Sequence, residues 1–264
     1  MRIHKLICWI AVTGCAATPD DGRHLRTRDS AGVRITENIS SADAAAWQIS
    51  SSPVVELGAD DPGGILYGVR GAVRLSNGEY VVANGGYDEL RWYDAAGRFV
   101  RQAGREGRGP GEFISLSWIG RQQGDTVITW DSRSRHVSVF TGDGAFVSTV
   151  PAPFRGAVRG RFADGSLLLG QARNSGEGFG RSQTTLWQLF PKSGRADSVG
   201  SHPGEEQIMT RRATGSGFRF ATQSPPFGRD GAFAVRGQHI LVSSQNDYEF
   251  REYATDGSLV KIMR

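Results

Sequence analysis

The 264 residues carry 31 Lys and Arg against 27 Asp and Glu, a formal net charge of +4, together with 36 glycines and 38% hydrophobic residues. So small an excess, with no interleaving of basic and aromatic residues, argues against a nucleic-acid partner. Two cysteines exclude a disulfide scaffold, and no stretch approaches the roughly 20 apolar residues of a membrane-spanning helix.

At the N-terminus Arg2 and Lys5 flank the start of an apolar run from Leu6 to Val12, which reads as a signal peptide over residues 1–14. Its end, Val12-Thr13-Gly14-Cys15, resembles the lipobox of bacterial lipoproteins. An ordinary secretory signal with an incidental cysteine is the alternative. The resemblance implies that Cys15 is the mature N-terminus and the lipid attachment point, bearing fatty acyl chains such as palmitate. It also implies a membrane partner and a place on the periplasmic side of the cell envelope, and Ala16 in the next position implies the outer membrane. Cys8 leaves with the signal, so the mature chain forms no internal disulfide, and its charge falls to +2, with 29 basic against 27 acidic residues. Residues 15–27 form a flexible polar tether. After it come a strand at Val33 to Thr36, a helical turn or loop at Ser40 to Ala46, and a strand at Val54 to Leu57, the first elements of a domain over 28–264.

From Asn77 the chain repeats. Asn77-Gly78 is a turn, Glu79 to Asn84 an apolar strand, Leu90 to Tyr93 a strand, Ala96-Gly97 a turn and Arg98 to Gln102 a strand, before the glycine-rich Gly104 to Phe113. Tyr93, Gly97 and Phe99 recur 47 residues on as Phe140, Gly144 and Phe146. Phe190 and Gly194 follow 50 later, and Tyr253, Gly257 and Leu259 after a gap of 63. Each aromatic ends an apolar run and each glycine lies four residues on, where a hairpin needs φ > 0. Short strands at this period predict an all-β fold, a β-propeller with four-stranded antiparallel blades at about 71–103, 115–150, 157–200 and 232–264.

The Leu75 to Asn84 block and the Gly107-Arg-Gly-Pro-Gly-Glu-Phe113 block resemble those of bacterial six-bladed β-propeller lipoproteins of unknown function, which are similar to NHL-repeat proteins. Leu116-Ser-Trp-Ile119 lacks the usual NHL proline, and Ser134-Arg-His136 replaces the common Asn-Arg. The resemblance implies six blades, whereas four repeats occur here and two more would need roughly 90 residues. The expectation is therefore an open arc of four blades, with a closed four-bladed ring as the competing reading. The blade that the N-terminal strands would complete is then missing, and an apolar flank is exposed after blade four.

Successive antiparallel strands place the connections after the second and fourth strand of each blade on one face. Those connections are long: Asn84 to Glu89, Gly104 to Phe113, Asp131 to Arg135, Gln171 to Gln183 and Ser201 to Arg229. Long connections on one face of a repeat scaffold carry binding residues. The candidates are Arg105, Arg108, Arg133 and Arg135, with Arg173, Arg181, Arg211 and Arg212 in the same loops, mixed with Glu106, Glu112, Glu177, Glu205 and Glu206. Asn84 and Asp131, 47 apart, end equivalent strands near the central mouth. Turn capping explains them as well as ligand contact does.

No cofactor or metal is called for. Gly104 to Gly111 lacks the Lys-Ser/Thr of a phosphate loop, the five histidines show no metal-ligand spacing, and Asp60-Asp61-Pro-Gly-Gly64 lacks a calcium loop's alternating carboxylates. Ser216 is in a connector rather than a nucleophile elbow. His136 begins a strand and reads as a packed or rim residue, and Trp92, Trp118, Trp130 and Trp187 read as inter-blade core. Two functions follow: a binding or scaffolding module for an envelope protein or glycan, and, as the alternative, a metal-dependent hydrolase or lyase using Asn84 and Asp131 around a central ion. The lipobox reading is checked by metabolic labelling with a clickable fatty acid, which should mark the wild type and not Cys15→Ser; equal labelling removes the anchor.

Overall fold

The computed structural model describes residues 25–39, 49–58, 65–215 and 217–264. The signal peptide, Cys15, Ser40 to Ala46, Asp60 to Gly64 and Ser216 lie outside the described residues. A hairpin of β1 (Leu25–Ser30) and β2 (Val33–Asn38) precedes the blades. Blade one comprises β3 (Val69–Arg74), β4 (Tyr80–Asn84), β5 (Glu89–Tyr93) and β6 (Phe99–Ala103). Blade two comprises β7 (Leu116–Arg121), β8 (Val127–Asp131), β9 (His136–Phe140) and β10 (Phe146–Pro151). Blade three runs through β11 (Ala157–Arg161), β12 (Leu167–Arg173), β13 (Gly178–Leu189) and β14 (Ala196–Thr214), followed by β15 (Gly217–Gln223). Blade four is β16 (Ala232–Arg236), β17 (His239–Ser243), β18 (Phe250–Tyr253) and β19 (Leu259–Met263). Within each blade every neighbouring pair is antiparallel.

The repeat is visible in backbone angles as well as in residue types. Gly97, Gly144, Gly194 and Gly257 adopt φ of 86°, 94°, 72° and 86°, the left-handed values their turns demand. On the other face Asp88 and Arg135, one period apart, take the same conformation at 53° and 61° immediately before the third strand of their blades.

Central strands bury both faces, which is why β4 and β8 read as unbroken apolar runs rather than alternating ones. Leu90 and Trp92 of blade one pack with Leu116 and Phe140 of blade two, Trp130 with Leu167 and Leu169 of blade three, and Leu168 and Leu186 with Ile240 and Val242 of blade four. Two tryptophans also reach across: Trp92 Nε1 donates to the Gly142 carbonyl at 2.7 Å and Trp130 Nε1 to the Gly156 carbonyl at 2.8 Å. Inner strands meet in order, β3 with β7, β7 with β11 and β11 with β16, so among the described residues the blades form an open series.

Several expectations are corrected. Residues 25–27 belong to β1, because Leu25, Arg26 and Thr27 pair with Asn38, Glu37 and Thr36. Val54 to Leu57 form no strand; they cross the β5–β6 turn, where a Cβ on Gly97 would stand 2.0 Å from the Glu56 carbonyl oxygen. The strand at Val33 does have a blade to join: β2 adds in parallel to β19 and makes blade four six-stranded. The long connections Gln171 to Gln183 and Ser201 to Arg229 are mostly strand, because β13 and β14 keep pairing beyond the blade and β15 adds to β14. Nor is the outer flank of blade four simply apolar, since it carries the buried Glu252 carboxylate between Arg236 (2.5 Å) and His239 Nδ1 (2.7 Å).

At the seam of blades three and four the His202 ring is tilted against Phe233 and Tyr253, with centroids 6.3 and 5.1 Å away. Burial, and next the charge of Arg251, hold its pKa below the ordinary histidine value. The unfolded chain therefore takes up this proton first, and the contribution to stability is complete above about pH 6.5 and lost as pH falls below it. Urea unfolding followed across that range should show this slope in the wild type and a flatter one in His202→Phe, which keeps the aromatic contacts.

Candidate functional site

Asn84 and Asp131 end β4 and β8 as expected, and the structure places them at the base of the turns that follow. Asp131 is 2% exposed and accepts four backbone N–H groups: Ile114 (2.6 Å) and Ser115 (3.1 Å) on one oxygen, Arg133 (2.9 Å) and Ser134 (2.8 Å) on the other. Burial raises its pKa, and the bonds from Ser134, Ile114 and Ser115 outweigh that and hold it below the ordinary value. Asn84, fully buried, accepts from Tyr67 N–H and donates to Glu89, each at 2.7 Å. Both residues are turn caps that tie the incoming inter-blade connection to its blade.

The glycine-rich connection between β6 and β7 is built around Glu112. Its carboxylate turns back to accept the Gly109 N–H at 2.7 Å and the Arg105 guanidinium at 2.7 Å, and these, in that order of weight, hold its pKa below the ordinary glutamate value. A Cβ on Gly107 would stand 2.1 Å from Glu112 Oε2, so any side chain there would displace the carboxylate from the Gly109 N–H. Phe113 closes the loop by burying itself against Phe140, 5.9 Å between ring centroids.

Between this loop and the outer strands of blade two lies a cleft of about 980 Å³. Its lining includes Arg108 and the Glu112 carboxylate from the loop, Arg133 and His136 from the turn into β9, Phe146 and the Ser138–Thr149 pair from the outer strands, and Arg155. None of the three guanidiniums has an ion-pair or hydrogen-bond partner among the described residues. Ser138 and Thr149, cross-strand neighbours, share a hydroxyl hydrogen bond of 3.2 Å.

Of the arginines singled out by sequence, the structure gathers Arg108 and Arg133 here. Arg105 is paired with Glu112, and Arg135 holds the left-handed turn position without lining the cleft. Sequence reasoning missed Arg155, the Ser138–Thr149 hydroxyl pair and Phe146, and assigned His136 only to packing or the rim. The one signal for that hydroxyl pair was the polar Ser138 and Thr149 inside strands otherwise rich in valine. Among the described residues no group of three or more His, Cys, Asp or Glu is placed to hold a metal ion.

No family model matches the chain, and no curated protein matches it. Among solved structures it is similar to a candidate exported protein of Bacteroides fragilis, with a TM-score of 0.46 and 16% identity over 82% of this chain, which spans 53% of that protein. It is also similar to virginiamycin B lyase from Staphylococcus aureus (TM-score 0.40, 11% identity, 72% of this chain and 68% of that one). A Bacteroides caccae protein of unknown function gives 0.39 and 11% over 74% and 71% of the two chains. These likenesses assign no activity to this chain.

Removing the Asp131 carboxylate leaves buried N–H groups without acceptors, each costing about 1–3 kcal/mol. Asp131→Ala should therefore lower unfolding free energy by at least about 2 kcal/mol in a denaturant titration, a loss that a surface ligand contact would not produce.

Proposed function

We propose that this chain is a lipid-anchored, extracytoplasmic β-propeller that acts as a binding module and takes an acidic glycan of the cell envelope in the blade-two cleft. The observation that carries the reading is that Arg108, Arg133 and Arg155, without ion-pair partners among the described residues, line one cleft whose single carboxylate, Glu112, is already held by Arg105 and the Gly109 N–H. Guanidiniums match carboxylate or phosphate groups through paired donors. The Ser138–Thr149 hydroxyl pair offers hydrogen bonds to sugar hydroxyls, and the Phe146 ring, 37% exposed, offers an apolar face to a sugar ring. The volume lies at the upper end of the ligand-site range. Anchoring and address rest on the Arg2 to Cys15 pattern of the sequence.

The hydrolase or lyase alternative needs Asn84 and Asp131 free to face an ion. The amide oxygen of Asn84 accepts the Tyr67 N–H and both Asp131 oxygens accept backbone N–H groups, which favours the binding reading.

Calorimetry with oligogalacturonate as the acidic probe and a neutral glucan of equal length as control tests the reading. Binding should be confined to the acidic chain and weaken with added salt. Arg133→Ala and Arg155→Ala should each reduce affinity about tenfold, the value of one charge-assisted hydrogen bond at a partly exposed site. Equal affinity for both chains, or indifference to both substitutions, would remove the cleft from the binding site.

A further inference from the structure

The second half of β14 and the whole of β15 stand beyond blade three as a ribbon that the cleft does not involve. Its base is fixed to blade four. Arg181 donates to the Gly204 carbonyl (2.8 Å), to Asn246 (2.8 Å) and to the Ser244 carbonyl, while Arg229 bonds Glu206 (2.7 Å) and the same Asn246 (3.0 Å). Beyond that base the pairing from Ile208↔Gln223 to Thr214↔Gly217 runs without a bulge, and every residue of β15 is exposed.

Among the described residues β15 is the last strand of its sheet, so one row of its backbone N–H and C=O groups faces no other described strand. Natural sheets protect such edges with bulges, prolines, charged side chains or very short strands. β15 has seven residues, no proline and no bulge, and one charged side chain, Arg219. Its side chains divide cleanly by face. Phe218 and Phe220, each 58% exposed, lie on one face with Arg211, whose guanidinium is 3.9 Å from the centre of the Phe218 ring. On the other face Arg219 stands directly opposite Arg212. Like charges in that position destabilise a ribbon, and neither has a carboxylate partner among the described residues. Residues 208–223 hold three arginines and no acidic residue.

From the open edge, the two phenylalanines and the unneutralised arginine pair together, we infer that β15 is a docking strand that adds an extended acidic segment of a partner protein to the blade-three sheet. An added strand places apolar side chains beside Phe218 and Phe220 and a carboxylate between them beside Arg219, so the recognised segment alternates apolar and acidic residues. Backbone pairing supplies the affinity, and the alternation selects the partner. A carboxylate there also relieves the repulsion between Arg212 and Arg219.

The probe is an eight-residue peptide alternating valine and glutamate, with a valine–lysine peptide as control, measured by fluorescence anisotropy against the folded chain. The glutamate peptide should bind and the lysine peptide should not. Arg219→Glu, an exposed change whose fold circular dichroism verifies, should reverse that preference by at least tenfold in each direction. Two glutamate peptides N-methylated on opposite sets of alternate residues should differ, one binding and the other not, because only one edge of the added strand pairs with β15. No binding of the glutamate peptide, no reversal by Arg219→Glu, or equal behaviour of the two methylated peptides overturns the inference. So does binding of the chain to phosphatidylglycerol vesicles through Phe218 and Phe220 in place of the peptide, or a concentration-dependent dimer in sedimentation that masks the edge. The cleft arginines play no part in this readout, so its failure and that of the glycan reading are separate results.

Discussion

Everything in this molecule depends on sheet faces being buried against the next sheet in order. A four-stranded antiparallel sheet has two large faces, and burying both takes two neighbours per blade. Trp92 and Trp130 meet this demand at successive seams: each fills the gap between blades and uses its one polar atom on a carbonyl of the following blade. Burying an indole with its N–H satisfied contributes the area of a large aromatic without the cost of an orphaned donor. Position along the arc is thereby set for every loop that the blades display.

Loop geometry follows from the same constraint. Asp131 joins the connection arriving from blade one, through Ile114 and Ser115, to the turn that leaves β8, through Arg133 and Ser134. Asp88 makes the corresponding link by accepting the Leu116 N–H at 2.7 Å. Carboxylates at these points are structural because backbone donors converge on them. Arg133, which lines the cleft, sits on the turn that Asp131 caps.

The ends of the series are handled by different means. At blade one, residues Val55 to Gly58 lie against the β5–β6 hairpin: a Cβ on Gly58 would meet the Leu66 side chain at 3.1 Å and the Tyr93 hydroxyl at 3.7 Å. At blade four, β2 and β1 widen the sheet, and an ion-paired Glu252 occupies the flank. A paired, hydrogen-bonded carboxylate is tolerated at a buried position where an isolated one would be expelled. Blade three is different again, continuing past the propeller as a ribbon whose outer edge is open.

Repetition made the blades legible from sequence. Turn glycines at 97, 144, 194 and 257 and the aromatics four residues before them recur because every blade needs the same left-handed turn and the same plug. The tryptophans were legible as core because they fall within strands. The cleft was legible only in half: Arg108 and Arg133 lie in recognisable loops, but Arg155, Ser138, Thr149 and Phe146 join them through cross-strand register and blade stacking, which no local pattern encodes. The ribbon is not legible as strand because its residues 210–215 and 217–223 are exposed and only Phe218-Arg219-Phe220 alternates, too short a run to mark a strand. Residue types and spacing by themselves determined the unit, its turns and its core; only the tertiary structure decided which arginines are paired, which capping carboxylates are occupied and which strand edge stays open, because each of those depends on donors and acceptors brought from another blade.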